Sequence, residues 1–520
     1  MIPERLMSLW PITRRTFAGM AVLGAGAVCS RRMPLANCAQ VTAAAPTMAS
    51  VGPFPQAGVT VAKPEDFGAV ADLHGDSGTD NTSAFRRIGA WLDATGGRVM
   101  VGGRYRITAG FAVHRGTMEF TGNGLIRNTT KDDDNYWSNT CVFFGTYFGY
   151  SPNNKGINTE IGYDIKDLPA GGVRVVFVNA RDAINFPVGT LFYTTDANFY
   201  TNSGKISSPF PKASHASVVV SNIGDGAILL RDPAPFAITS RGAISPQART
   251  DKGGFALSNL GIPAITPRIA KNLMVVNGAF ESANYNNGQV IHIACHNSWL
   301  DFRWISGKDC VGANPVTDSF IQIRGSNYAN TMFELAYHHH RVRVPLLRGN
   351  RIGSFPSSTV AIVAISEYGN SVTINEIDIS DLHAQGDYVF RTAVSLNTPL
   401  TTLYSVTIKG AQFCGLAIGS NGQRADQTRI GRIKLIDCGG SKMAPSGLVS
   451  IVQIDANEVE IDAIEIDNTQ YTTCVVKILP NAGELVKIGY TTLATESSAP
   501  LRYRIIDNRS VVKRSPIHLR

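Results

Sequence analysis

Between residues 271 and 480 the apolar positions come in short runs divided by Gly, Asn and Ser. The runs are 273–276, 290–294, 300–305, 320–323, 332–335, 360–365, 372–379, 403–408, 430–436, 459–466 and 475–478. Within them apolar and polar residues alternate. Successive side chains of a strand point to opposite faces, so the apolar set faces a core and the polar set faces out. Arg303 and Arg324 are 21 apart, and Cys414 and Cys438 are 24 apart. Such intervals suit coils of a solenoid, each stacking on the last. A β-sandwich or propeller is the rival on this pattern alone.

Upstream the period changes. Ala84, Phe85, Ile88, Trp91 and Leu92 recur at helical spacing, after Asn81-Thr82 as a cap and before Gly96-Gly97 as a stop. Val99, Val101, Tyr105 and Ile107 then alternate as strands. Asp66-Phe67-Gly68-Ala69-Val70 reads as a strand entering a polar turn over 72–80, and residues 108–130 read as a first coil. From 173 to 238 the texture differs, with Val173–Val178, 186–193, 216–221 and 227–230 as strand runs; this reads as a small inserted β module. After Leu485 the pattern loosens, and the basic stretch 511–520 reads as a frayed tail.

Composition narrows the class. The chain has 520 residues, 44% hydrophobic and 17% charged, with 50 Gly. Disorder is excluded by the apolar content, and helical bundles are disfavoured by the low charge and high Gly. Thr13-Arg14-Arg15-Thr16-Phe17 precedes the short apolar run 17–28, which fits the apolar region of a twin-arginine export signal. Export to the periplasm or beyond is therefore expected, with no membrane-spanning segment in the mature chain. Of the net charge of +8, about half lies in this leader, where Arg5, Arg14, Arg15, Arg31 and Arg32 face only Glu4. The remainder is too mild for a nucleic-acid partner. Twin-arginine substrates fold before export in a reducing compartment, so Cys141, Cys295, Cys310, Cys414, Cys438 and Cys474 are expected as buried free thiols. No Cys or His spacing implies a metal, and no cofactor is expected.

The stretch from Pro64 to Ile107, with its Asp-Phe-Gly-Ala, the turn Thr79-Asp80-Asn81-Thr82, the helix, the double Gly and Gly102-Gly103-Arg104-Tyr105, resembles the N-terminal cap of pectate-lyase-like right-handed parallel β-helix proteins. That superfamily includes polysaccharide lyases, polygalacturonase-like and rhamnogalacturonase-like hydrolases, and phage tailspike depolymerases. The resemblance covers about forty residues closely, is specific for fold, and says little of the reaction. Gly102 departs from the Pro usual there. The module resembles the small β insertion of some β-helix depolymerases, with Thr190 where Asp is usual. The resemblance decides against sandwich and propeller. It implies an all-β chain: a leader over 1–39, a linker over 40–62, cap and first coils over 63–170, the module over 171–240, the parallel β-helix over 241–505 and a tail over 506–520. Tailspike relatives are trimers, so it admits a homotrimer without requiring one.

A β-helix offers a long shallow groove in which a polymer can lie. Glycoside hydrolysis needs two carboxyl groups. Elimination from a uronic acid needs a base and neutralisation of the carboxylate. The signatures of particular enzyme families are absent, and Arg432-Ile433-Lys434 stands without the residues that accompany it in polygalacturonases. The densest polar set lies between Glu281 and Arg343. If Phe302 and Trp304 face in, then Asp301 and Arg303 face out, as do His292, Arg324 and Glu334, and they line one side if their strands share a sheet. Hydrolysis would use Glu334 and Asp301 as the acid pair. Elimination would use His338 or Tyr337 as base, with Arg303 and Arg324 neutralising the substrate. His292, Glu281 and Trp137 are further substrate contacts, the last as a stacking platform. Each has a plainer reading: surface ion pairs for the arginines, a solvated turn for Glu281, a loop anchor for Trp137. His338, His339 and His340 do not make a metal site on a strand, where neighbours diverge. The expected function is cleavage of a polysaccharide, acidic in kind, by hydrolysis or β-elimination. A non-catalytic glycan-binding scaffold and a sugar epimerase are the alternatives.

Overall fold

The computed structural model describes residues 61–131, 139–146, 162–163, 165–189, 191–195, 214–234, 237, 242–244, 269–286, 288–336, 339–352, 361–366, 369–380, 392–411, 414–419, 425–438, 448–467, 471–480, 482–483, 485–494, 505–509 and 518–519. Residues 1–60, which hold the expected leader and most of the expected linker, and Trp137, Tyr337 and His338 lie outside them; Val61 and Ala62, expected in the linker, form a strand.

Strands stack in parallel along three faces of a β-helix. On the first sheet one register column runs Val61, Arg98, Thr117, Met274, Trp299, Phe320, Arg343, Thr373, Thr402, Arg429, Glu460, Lys487, His518. The second sheet carries Tyr105, Ile126, Phe280, Ile305 and Ser326 in register. The third carries Val113, Phe144, Ile293, Ala313, Leu335, Ile365, Leu396, Ile418, Ile454, Ile478 and Asp507. The inward side chains form one continuous core from Phe85 to Ile488. Burying such long apolar rows at about 25 cal/mol per Å² is the main source of stability. Each coil closes only by stacking on the next.

The corner between the third and first sheets is built from left-handed residues, one per coil: Asn272, Asn297, Asp318, Arg341, Ser371, Leu400, Gln427 and Glu458, with φ from 47° to 61°. Asn and Asp tolerate this conformation best, because their short side chains bond locally. Asn297 Nδ2 donates to Asn272 Oδ1 at 2.7 Å. At Gly145, where φ is 92°, a Cβ would lie 2.1 Å from the Ala294 carbonyl on the next coil. Gly145→Ala is expected to cost about 1–3 kcal/mol, and chemical denaturation checks it: an unchanged midpoint would contradict the close packing of these coils.

The cap helix spans Thr82–Thr95 and buries Ala84, Phe85, Ile88 and Leu92. Gly96 ends it in the left-handed region, its N–H donating to the Leu92 carbonyl at 2.7 Å. Two local expectations are corrected. Asn81 does not cap the helix with its side chain. It ties Val70 and Thr79 instead, and Asp80 accepts from the Thr82 N–H at 3.0 Å. The stretch 66–70 is not a strand: Pro64–Phe67 forms a 3₁₀ turn, started by Pro64 and closed by left-handed Gly68. The equivalence of Cys414 and Cys438 also fails. Cys414 aligns with Ser450 one coil on, and Cys438 follows the second-sheet end of the strand Arg429–Ile436. Cys141, Cys295, Cys310, Cys414 and Cys438 are buried free thiols.

The inserted module is a six-stranded antiparallel sheet with its own core around Phe177, Phe186 and Phe192. Its strands run from Gly162–Tyr163 to Gly242–Ile244, a little wider than 171–240. Arg231 and Asp232, at the end of its strand Ala227–Leu230, meet the corner residues Asp318 and Arg341 of the β-helix. Among the described residues no helix is long and apolar enough to cross a membrane.

Candidate functional site

The outer face of the first sheet carries an aromatic stack. Trp299 and Phe320 occupy the same register position on successive coils. Strands about 4.8 Å apart put flat outward rings face to face, and here the centroids are 3.6 Å apart at 7°. Both rings are partly exposed, with Met274 on the coil before and the exposed Arg343 on the coil after. Beside the stack, Asp301 aligns with Gln322. Arg324 forks onto Asp301, with Nε at 3.0 Å from Oδ1 and a terminal nitrogen at 3.0 Å from Oδ2, and also reaches Asn277.

The corner lies two residues before the stack. Asp318 accepts from Arg341 Nε at 2.6 Å and from Arg231 of the module at 2.9 Å. Arg341 also donates to Asp232 of the module, so one guanidinium bridges two carboxylates. Asp232 further accepts from Ser217 at 2.8 Å. Burial pushes the Asp318 carboxyl up to about 6; Arg231 pulls it down and Asp232 pushes it up. His296, 3.6 Å from Asp318, is pushed down to about 4 by burial, with Lys271 and Arg231 acting the same way. At neutral pH it is therefore uncharged. The corner thus joins two carboxylates and two guanidiniums in one network at the seam with the module.

On the second sheet Glu281 accepts from Arg127 at 2.7 Å and from the Trp304 indole N–H at 3.0 Å. Arg127 also donates to Asp76 at 2.9 Å. The Trp304 ring lies over Gly325, where a Cβ would stand 3.3 Å from it. Trp304 is partly buried and packs against the core from this bend, rather than pointing fully inward as expected. The strand Trp299–Gly307 shifts register at its bend, so that Phe302 and Ile305 point inward and Arg303 and Trp304 fall between them.

The expected single row of His292, Asp301, Arg303, Arg324 and Glu334 divides between sheets. His292 and Glu334 are on the third, two coils apart with Gly312 between them; His292 is buried and Glu334 exposed. Asp301, Arg303 and Arg324 belong to the first sheet and its bend. The left-handed corner separates the two groups, so Glu334 and Asp301 do not flank one bond. Arg303 and Arg324 do sit at adjacent coil positions, but both are committed. Arg303 donates to the carbonyls of Gly122 and Gly124, and Arg324 is held by Asp301. The plain ion-pair reading of Arg324 is the one the geometry favours. Tyr337, His338 and Trp137 lie outside the described residues. Among the described residues no group of three His, Cys, Asp or Glu side chains is placed to hold a metal.

Sequence reasoning missed Trp299, Phe320, Arg343, Asp232 and Asp318. The 21-residue interval of Trp299 and Phe320 was an available signal, because it equals that of Arg303 and Arg324. Nothing local joins Asp232 to Asp318, since an 86-residue separation is bridged only by the docking of the module.

No protein-family model matches the sequence, and no curated protein matches it. Among solved structures the chain is similar to the tailspike gp61 of Pseudomonas phage phi297, at 11% identity and a TM-score of 0.40 over 88% of this chain and 83% of that one. It is similar to the tailspike gp49 of Pseudomonas phage LKA1, at 12% identity and 0.38 over 84% and 81%. A third is the gp54 tailspike of Acinetobacter baumannii bacteriophage AP22, in complex with a capsular saccharide of that bacterium, at 10% identity and 0.39 over 83% and 69%. These likenesses reach no further than the parallel β-helix architecture already evident in the strand pairing.

Proposed function

We propose that the chain acts on a polysaccharide that lies across the first-sheet face, against the outward edges of Trp299 and Phe320, and is hydrolysed at the seam with the module. Asp318 is the proton donor in this reading and Asp232 its partner carboxylate. The observation that carries it is the meeting, within two residues of strand, of an outward aromatic stack and a bridged carboxyl pair. Two carboxyls are what glycoside hydrolysis needs, and the ring edges beside them give a polymer an apolar surface to lie against. Hydrolysis is put before β-elimination because the seam brings together the two carboxyl groups it needs. A second reading, a non-catalytic glycan binder, is favoured by one feature: Arg341 engages both carboxylates at once. Export of the mature chain by the twin-arginine route belongs to the same proposal and rests on Arg14-Arg15 and the apolar run after them.

Incubation of the chain from residue 50 onward with acidic and neutral polysaccharides, following reducing ends and ultraviolet absorbance together, separates these readings. Hydrolysis predicts new reducing ends with no absorbance of an unsaturated product. Absorbance rising with reducing ends would replace it with elimination. Binding with no new ends would leave the binder.

A further inference from the structure

The module and the β-helix are built as separate bodies. Among the described residues no strand of the module pairs with a strand of the β-helix, and their two apolar cores share no side chain. The module strand Ser214–Gly224 lies against the β-helix strands His339–Arg351 and Asn370–Ser380. Val219 of that strand belongs to the module's own core, and Val220 and Ile223 are exposed, so these apolar positions do not fasten it to the β-helix. A ring of four charges joins the two bodies. Arg231 donates to Asp318 at 2.9 Å, Arg341 donates to Asp318 at 2.6 Å and also to Asp232, and Arg231 closes the ring on Asp232 at 3.2 Å. Each body supplies one arginine and one carboxylate. Ser217 holds Asp232 from within the module. His340, buried at the same corner, lies in the field of both Arg231 and Asp232. The arginine side chains are 40% and 35% exposed and the carboxylates 18% and 19%, so salt reaches the ring.

We infer that this ring is a latch and the module a lid, which closes on the corner through the four charges and opens as a folded body when they are released. Units of one chain are held rigidly only where the interface between them is large and apolar. Partly exposed ion pairs contribute little singly and are screened by salt. A four-charge ring therefore closes in one defined register and releases without unfolding either core. Opening parts Arg231 and Asp232 from Asp318 and Arg341 and bares both sides of the seam at once. The inference concerns the movement of the module and stands apart from the glycan-acting reading.

Distances between paired spin labels on the chain from residue 50 onward test it. Val188→Cys with Tyr404→Cys reports across the seam, and Val178→Cys with Val188→Cys reports within the module. All three positions are exposed, and the native thiols of Cys141, Cys295, Cys310, Cys414 and Cys438 are buried. At low salt the cross-seam pair is expected to give one narrow distance. At about 1 M salt, where the screening length falls to about 3 Å, a second and longer distance is expected to appear. Arg341→Gln removes the guanidinium bonded to both carboxylates and is expected to raise the share of the longer distance about tenfold at low salt. The pair within the module is expected to keep its distance throughout. A cross-seam distance unmoved by salt, or unmoved by Arg341→Gln, would overturn the inference. Loss of the within-module distance along with it would also overturn it, because the module would then unfold rather than move. No saccharide is present, so none of these outcomes bears on the glycan-acting reading.

Discussion

Asp318→Asn is expected to reduce polysaccharide cleavage about 10²–10⁴-fold, the usual contribution of a positioned general acid, while binding to the same polymer persists. Asn suits this position for two reasons. Residue 318 is left-handed at φ 52°, a conformation that Asn tolerates as well as Asp. Its amide oxygen also remains an acceptor for Arg341, while the amide nitrogen replaces the oxygen that accepts from Arg231, so one of the two arginine contacts is kept. The wild-type rate has a matching pH dependence. With the Asp318 carboxyl at about 6, its proton is present below that value and lost above it. The basic limb of the rate profile is therefore expected to fall about tenfold per pH unit above pH 6, and this limb disappears in the residual activity of Asp318→Asn. Initial rates of reducing-end release across pH, with binding measured in parallel, check both points. A variant that cleaves at the wild-type rate would remove Asp318 from the reaction. A variant that loses binding and cleavage together would assign it to the structure of the seam instead.

Phe85→Ala is expected to destabilise the chain by about 3–5 kcal/mol, the cost of deleting a buried aromatic ring. Phe85 is fully buried under the cap helix, with Tyr105 at 5.4 Å and Phe111 at 5.1 Å between ring centroids. The consequence exceeds a local cavity. A solenoid has an open apolar end, and neighbouring coils depend on one another in turn. Loss of the cap exposes Val99, Tyr105 and Phe111 and lets unfolding start there. Urea denaturation gives the free energy, and hydrogen exchange gives the order: the coils holding 98–128 are expected to exchange before those holding 402–467. A loss under about 1 kcal/mol, far below the usual range for such a deletion, would show that the helix does not close the end of the β-helix.

How far the sequence discloses this molecule differs between its parts. The cap was legible because its signals are local: five apolar residues at helical spacing, a stop at Gly96, and strands with alternating Val99, Val101, Tyr105 and Ile107, all four buried. The coils were legible because inward residues repeat on every turn. Asp66 to Val70 misled because Phe67 closes a 3₁₀ turn started by Pro64 and left-handed Gly68 breaks the run before Ala69 and Val70. Trp304 misled because alternation was carried through a bend at which the register slips. The candidate site was half legible. Asp301, Arg303, Arg324 and Glu281 do fall on or beside the aromatic and ionic face. Their partners could not be read from spacing, because Gly122, Asn277 and Arg127 come from other coils. The separation of Glu334 from Asp301 depends on which side of a one-residue corner each strand falls. That corner is marked in sequence only by residues such as Asn297 and Asp318, which resemble ordinary turn residues.

A crystal structure of the Asp318→Asn chain soaked with an oligosaccharide of the polymer it binds is the most direct test of where the chain meets its substrate. The account predicts a saccharide across the first-sheet face beside Trp299 and Phe320, with a glycosidic oxygen facing residue 318 at the seam with the module. A saccharide seated instead on the third sheet beside His292 and Glu334, with the Trp299 and Phe320 rings uncovered, would contradict it.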